Sequence, residues 1–426
     1  MHEVALLFLL WITLLLYNAE LQIFSFFLLN NVRICVIMGN VVFGYTINIR
    51  EDLKMSTLVS VKNFFTKNIV MTIALVAALT TSIAVPFDKK YIGYFDFKTL
   101  TCLFCVLAVV CALKNINFFY LLAKKIVRLF KNARMSILAL VYITFIGSML
   151  IANDMALLTF LPLGYFVLTT TGKQKHMAFT FIMQNIAANL GGMLTPFGNP
   201  QNLYLYTRFE IANGEFLKIM ILPFAMSVAL ITICCIIFVK PEPLCIDDEK
   251  IVLDPKRATL YLLLFALAIA IVFRGIPYWI GLIIIPAILF FVDRKALGMV
   301  DYPLLLTFVF FFVFSGNMAR IGIVREFFSM LLGKNTLLFS AMSCQCISNV
   351  PSAILLSQFT GNYPALLVGV NIGGVGTLIA SLASLITFRE YVKHNPKKTR
   401  YYIRRFSVFN FGFLFILLGT MSAVCI

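Results

Sequence analysis

Apolar runs of fifteen to twenty-five residues, parted by short polar loops, recur along the whole chain. Runs at 4–28, 69–87, 99–113, 216–239, 258–273, 277–292, 303–319 and 403–425 have the length and character of helices that cross a bilayer. At 118–134 the pattern changes. Lys124, Lys125, Arg128 and Lys131 fall on one helical face, and Phe118, Leu121, Leu122, Ile126, Leu129 and Phe130 fall largely on the other. This predicts an amphipathic helix in the membrane interface, and 320–334 is a weaker example. Two shorter apolar pieces, 136–151 and 155–169, meet at Ala152-Asn153-Asp154; a second pair, 336–347 and 352–360, meets at Ser348-Asn349-Val350-Pro351. At ~1.5 Å per residue, a piece of the first pair spans on the order of 22 Å against a hydrocarbon core of ~30 Å. Each pair therefore predicts a re-entrant hairpin with an asparagine at its tip.

After each hairpin comes an apolar segment rich in helix breakers. The first, 176–205, contains Asn189-Leu190-Gly191-Gly192-Met193-Leu194-Thr195-Pro196-Phe197-Gly198-Asn199-Pro200-Gln201-Asn202. The second, 363–388, repeats Asn189, Gly191, Gly192 and Thr195 as Asn371, Gly373, Gly374 and Thr377, at a constant offset of 182 positions. Gly198 becomes Ala380, and Asn199 and Asn202 become Ser381 and Ser384. Gly/Pro-interrupted hydrophobic segments at matching places in two halves point to the binding site of a secondary transporter, because unwound backbone at membrane depth persists only where protein or a watery cavity satisfies it.

The fold class that follows is an all-α polytopic membrane protein of about 10–11 spans. It has two repeats, each of two spans, a surface helix, a hairpin, a broken helix and a final span. The first repeat is placed at 55–239 and the second at 276–426, with a linker and connecting helix at 240–275. Residues 1–54 have no counterpart in the repeat, and the polar stretch opened by Met55 resembles a cytoplasmic start. They are read as an extra helix or as an upstream misassignment of the start. The run at 4–28 carries Glu20 and is followed by no small-residue cleavage site, which argues against a secretory leader. With 50–67 on the cytoplasmic side, the two most basic loops, 114–134 with six Lys or Arg and 389–405 with seven, both fall inside. That is the positive-inside distribution, and the odd span at 258–273 makes the second repeat inverted.

Composition agrees with this picture. The 426 residues are 61% hydrophobic and 12% charged, with a mean hydropathy of +0.95. The net charge of +17 resides in short loops and needs no nucleic-acid partner. Cys102 and Cys105 form a lone CxxC inside a span, more readily small apolar filler than a metal site or disulfide. His2, His176 and His394 are too far apart in sequence for a metal cluster. The chain has no P-loop, no HExxH, no GxGD and no membrane-depth histidine, so neither an intrinsic ATP motor nor an intramembrane enzyme is expected.

Asp154 is the acidic residue placed deep in the repeated core, where a carboxylate is costly and marks function unless it merely caps the helix it begins. Asn153 and Asn349 stand at the hairpin tips, where half-helix ends offer unpaired N–H and C=O groups to ions.

These pieces resemble the ion-transporter superfamily, which includes arsenite permeases, citrate-transporter-like permeases, divalent-anion–sodium symporters and NhaD-type sodium–proton antiporters. The resemblance covers roughly 60–426 and rests on Ala152-Asn153-Asp154-Met155-Ala156-Leu157-Leu158-Thr159, on Asn189 through Asn202, and on Ser348-Asn349-Val350-Pro351. The symporters carry Ser-Asn-Thr at both tips, whereas the tips here read Ala-Asn-Asp and Ser-Asn-Val; an Asn-Asp tip is more similar to the arsenite-permease branch. The resemblance implies cations between each tip and its broken helix, and substrate between the two tips. By position the expected residues are Asn153, Asp154, Asn189, Gly191, Gly192, Thr195, Gly198, Asn199 and Asn202 in the first half. In the second they are Ser348, Asn349, Asn371, Gly373, Gly374, Thr377, Ser381 and Ser384, with Asn153, Asp154 and Asn349 the sodium ligands. The implied protein is a cation-coupled carrier of a small anion or oxyanion in the cytoplasmic membrane, with sodium or protons as coupling ions and a homodimer as candidate assembly. The alternatives are a sodium–proton antiporter and, from another class, an ion channel.

Overall fold

The computed structural model describes residues 64–424 apart from 65, 67, 128, 131 and 244–253. The expectation for residues 1–54 and much of the 240–257 linker therefore lie outside the described residues. Among the described residues the regular elements are all helical.

The first half runs α1 (Ile69–Ala84), α2 (Phe97–Asn115), α3 (Phe118–Val127), α4 (Ala133–Ile151), α5 (Asn153–Thr170), α6 (Met177–Gly191), α7 (Pro200–Arg208) and α8 (Asn213–Phe238). A connecting helix, α9 (Pro255–Val272), leads to α10 (Tyr278–Val292), a short α11 (Arg294–Gly298) and α12 (Tyr302–Arg320). The remainder is α13 (Gly322–Ile347), α14 (Asn349–Leu356), α15 (Tyr363–Ile372), α16 (Leu382–His394) and α17 (Thr399–Val424). The starts of α2, α4, α12 and α15 are set by side-chain caps, from Asp96, Asn132, Asp301 and Asn362, each accepting a backbone N–H of the first turn. Among the described residues six helical stretches are long and apolar enough to cross a membrane; α1, α10 and α15 are apolar but shorter.

Both broken segments are broken where the breakers lie. Between α6 and α7 the chain passes through a 3-10 turn, Gly192–Leu194, and leaves the helix until Pro200. Between α15 and α16 it is unwound from Gly373 to Ser381. The first hairpin differs from expectation in length. Its arms, α4 and α5, have 19 and 18 residues, about 28 and 27 Å, and α4 is among the stretches long enough to span. The Asn132 cap starts α4 ahead of the apolar run, a choice made by hydrogen bonding that hydropathy does not see. In the second half the arm is joined to the surface helix as one element, α13, bent at Asn335 (φ −161°, ψ 94°). The basic face expected of α3 is also corrected. Lys124 is buried, with its ammonium 5.5 Å from the ring centre of Phe166, while Leu122 is exposed.

Packing between the halves occurs in exchanged pairs. α1 packs on α12 and α10 on α2; α7 packs on α14 and α16 on α5; α6 packs on α17 and α15 on α8. The consequence for the site is that each broken helix sends its second piece onto the hairpin of the other half. Segment 239–243 ties down the far end of the first hairpin. Val239 O and Glu242 O accept from Arg134 Nε and Ala133 N, and the Glu242 carboxylate pairs with Lys173 and Lys175.

Candidate functional site

The two hairpin junctions share one backbone form. Ala152 (φ 66°, ψ 152°) and Ser348 (φ 75°, ψ 160°) occupy a region that is essentially glycine's, at a cost of order 1–3 kcal/mol each. Each is followed by an asparagine whose Oδ1 accepts the next backbone N–H at 2.9 Å: Asp154 N to Asn153, and Val350 N to Asn349. One of the amides left over by a helix start is thereby satisfied, and the asparagine is held at the tip.

The hairpins are fastened to the broken helices by matching contacts. Thr195 Oγ1 donates to Met149 O at 2.7 Å, and Thr377 Oγ1 to Gln345 O at 3.1 Å. Met149 and Gln345 each lie four residues before their tip asparagine. Gly191 and Gly373 permit the close approach: a Cβ on Gly191 would collide with the backbone of Phe145, and one on Gly373 would come 2.9 Å from Ala341 Cα. Phe145 and Ala341 are again equivalent, each eight residues before the tip. Gly198 closes the first unwound loop, where a Cβ would clash with Gly192 and lie 2.6 Å from Thr195 Oγ1.

Between the tips lies a buried cluster of asparagines that joins the halves. Asn153 Nδ2 donates to Asn189 Oδ1 at 3.3 Å, and Asn189 Nδ2 to Asn185 O at 3.1 Å. Asn199 Nδ2 donates to Asn189 O and Asn371 Oδ1, both at 3.2 Å. Asn371 Nδ2 donates to Asn202 Oδ1 at 2.5 Å, and Asn202 Nδ2 to Gly192 O at 3.1 Å. A Cβ on Gly374 would stand 3.2 Å from Asn349 Nδ2 and 3.6 Å from Asn189 Oδ1, so Gly374 lies between the second tip and the asparagine that the first tip contacts. Ser381 and Ser384 stay out of this network: Ser381 caps α16 through Ala383 N, and Ser384 Oγ is buried without a partner.

Several members were missed from sequence. Gln201 Nε2 reaches Asn371 Oδ1 at 3.4 Å. Gln345 donates to Gly373 O and Val375 O and accepts from Thr377 N, pinning the second unwound loop. Asn185 extends the chain of amides to Asn410 on α17. The usable signal was position, since Gln201 adjoins Asn202 and Gln345 sits one helical turn before the tip.

The duplication is not complete, and the difference is chemical. In the second half Asn349 N and Ser348 Oγ both donate to Ala380 O, at 2.9 and 3.3 Å, and Val350 follows the asparagine. In the first half Asp154 takes the valine's place, and Asp154 Oδ1 is buried with no hydrogen-bond partner. Asn199 Oδ1 and Gln201 Oε1 are likewise buried acceptors without donors. Cys102 and Cys105 are buried free thiols of α2.

A family model described as "Citrate transporter" matches residues 55–365. An uncharacterized transporter of Methanocaldococcus jannaschii, MJ0456, is 36% identical over 298 residues, which are 69% of this chain and 81% of that protein. The inner membrane protein YbiR of Escherichia coli (strain K12) is 28% identical over 317 residues, 72% of this chain and 84% of that protein. With a match of that extent over a helical membrane protein whose hairpin tips meet at two broken helices, the chain belongs to the citrate transporter family.

Proposed function

We propose that the protein is a secondary transporter that couples a cation, sodium or a proton, to the movement of a small anion by alternating access of two inverted halves. The observation that carries this reading is the set of donor-less acceptors Asp154 Oδ1, Asn199 Oδ1 and Gln201 Oε1 in the buried first half of the site. A buried acceptor left without a partner costs ~1–3 kcal/mol, more when charged, and a desolvated cation or a proton supplies what these atoms lack. The cation is assigned to Asp154, Asn153 and Asn199. The anion is assigned to the second half, beside Asn349, Gly374 and Thr377. There Asn349 Nδ2 is a donor lying against Gly374, and the start of α14 presents the positive end of a helix dipole.

Purified protein in proteoliposomes tests the proposal, with labelled citrate, phosphate, sulfate and arsenite under imposed sodium or proton gradients. Saturable uptake of one anion that requires one gradient is the expected result. Uptake that ignores both gradients would overturn the coupling. Asp154, a carboxylate with one buried and unpartnered oxygen at the first tip, favours sodium–proton exchange as a second reading, and dissipation of a proton gradient by sodium with no anion moved would select it.

A further inference from the structure

A cavity of about 320 Å³ opens at the end of α2 remote from the basic 114–134 loop, between α2 and α12 on one side and α7 and the end of α14 on the other. Its charged lining is Asp96, Lys98, Arg208 and Glu210. These charges are not equally available. Both carboxyl oxygens of Asp96 are engaged by Thr99, at 2.9 Å from its N–H and 2.6 Å from its hydroxyl. Glu210 stands at the rim with its carbonyl accepting from Arg274 Nη1 at 3.2 Å, which brings a third cation beside it. Lys98 and Arg208 form no ion pair among the described residues and face the open volume.

The cavity is connected to the asparagine cluster by a single helix face. Gln201, Tyr204 and Arg208 recur on α7 at i, i+3 and i+7, about 10 Å from first to last. Gln201 contacts Asn371 at one end, and Arg208 lines the cavity at the other. Between them Tyr204, 2% exposed, has its hydroxyl 2.9 Å from Ser357 Oγ and accepts from Gln358 Nε2 at 3.3 Å. That bond group joins the two halves between the cavity and the cluster.

We propose that this cavity is a docking chamber for the anionic solute, in which Arg208 and Lys98 hold a carboxylate or oxyanion group above a gate formed by Tyr204, Ser357 and Gln358. The proposal rests on the reading of the protein as an anion carrier. A guanidinium offers two parallel N–H donors to such a group, and the ammonium adds a point charge. Opening the gate requires Tyr204 to give up these partners and its ring, 5.6 Å from that of Phe312, to move, after which the face of α7 would lead the solute toward Gln201.

The test does not depend on transport. Gly93 lines the cavity, and a Cβ there has nothing within 4 Å, so Gly93→Cys places a thiol inside without a clash. In a background whose reactive native thiols are replaced, its labelling rate is measured with anionic sulfonatoethyl and cationic trimethylammonioethyl methanethiosulfonate. The expected anionic-to-cationic rate ratio falls roughly five- to tenfold on Arg208→Gln and again on Lys98→Gln, the effect of removing one nearby charge. Citrate, at fixed ionic strength, is expected to slow labelling in the parent and not in Arg208→Gln. A ratio that neither substitution changes, or labelling that citrate, phosphate and sulfate all leave alone, would overturn the docking chamber. Failure of the carrier reading would show only in the uptake assay and would leave both labelling results standing.

Discussion

At the scale of single residues, two positions carry most of the consequence. Asp154 begins α5 with one oxygen buried and unpartnered, an arrangement that is costly for a carboxylate at membrane depth unless a cation or a proton joins it. Asp154→Asn keeps the shape and removes the charge. Insertion is expected to be normal, and gradient-driven uptake in proteoliposomes to fall by roughly 10- to 100-fold, the weight of a charge-assisted contact. Unchanged rate and unchanged sodium and pH dependence would reduce Asp154 to a helix cap. Ala152 is the other position, because its φ of 66° is strained for any residue with a Cβ. Ala152→Gly is expected to stabilise the fold by up to about 1–2 kcal/mol after glycine's own unfolded-state entropy is subtracted, read as a higher thermal midpoint in detergent. Ala152→Val, with a branched Cβ in the same strained conformation, is expected to lower it. A midpoint that glycine lowers would mean that the alanine methyl packs more than it strains.

At the scale of elements, the first hairpin is fastened at both ends. Its tip meets Asn189, and the bases of α4 and α5 are bound to segment 239–243. The ammonium groups of Lys173 and Lys175, hydrogen-bonded to Glu242, hold its carboxyl well below the usual range, at about 2. A carboxyl depressed by folding stabilises the folded state above its unfolded value, near 4.5, and loses that contribution as pH falls toward 2. The thermal midpoint should therefore drop across pH 4.5 to 2 by more in the parent than in Glu242→Gln. Parallel curves for the two proteins would show that the pair adds nothing at this solvated surface, as many surface ion pairs do.

At the scale of the whole molecule, the exchanged packing of the halves and the approach of both tips to Gly374 and Asn189 are what two oppositely oriented repeats would produce. The orientation is open to a direct measurement. Ser136, at the shoulder of the first hairpin, is buried with its hydroxyl donating to Phe130 O, so the neighbouring exposed Met135 is the better label site. In the second hairpin Gly333 is exposed, with nothing within 4 Å of a Cβ. Met135→Cys and Gly333→Cys should react with impermeant thiol reagents from opposite sides of the membrane. Reaction from one side alone would end the inverted arrangement.

What the chain determined by itself was local. Apolar runs, the Gly/Pro/Asn breaks at 191–200 and 373–381, and the polar tips at Asn153 and Asn349 each depend on a few neighbouring residues, and among the described residues they appear near where the sequence placed them. Matching offsets between the halves also pair Thr195 with Thr377 and Gly191 with Gly373. The partners themselves were decided by tertiary structure. Asn371 meets Asn199 and Asn202 across some 170 positions, Lys124 turns inward onto Phe166, and Gln201 and Gln345 enter the site because neighbouring helices carry acceptors to them. Hydropathy measures a residue's transfer to an apolar medium and contains nothing about which polar group waits there. Only the packed molecule distinguishes the second tip, where Asn349 N and Ser348 Oγ both donate to Ala380 O, from the first, where Asp154 Oδ1 is buried without a donor.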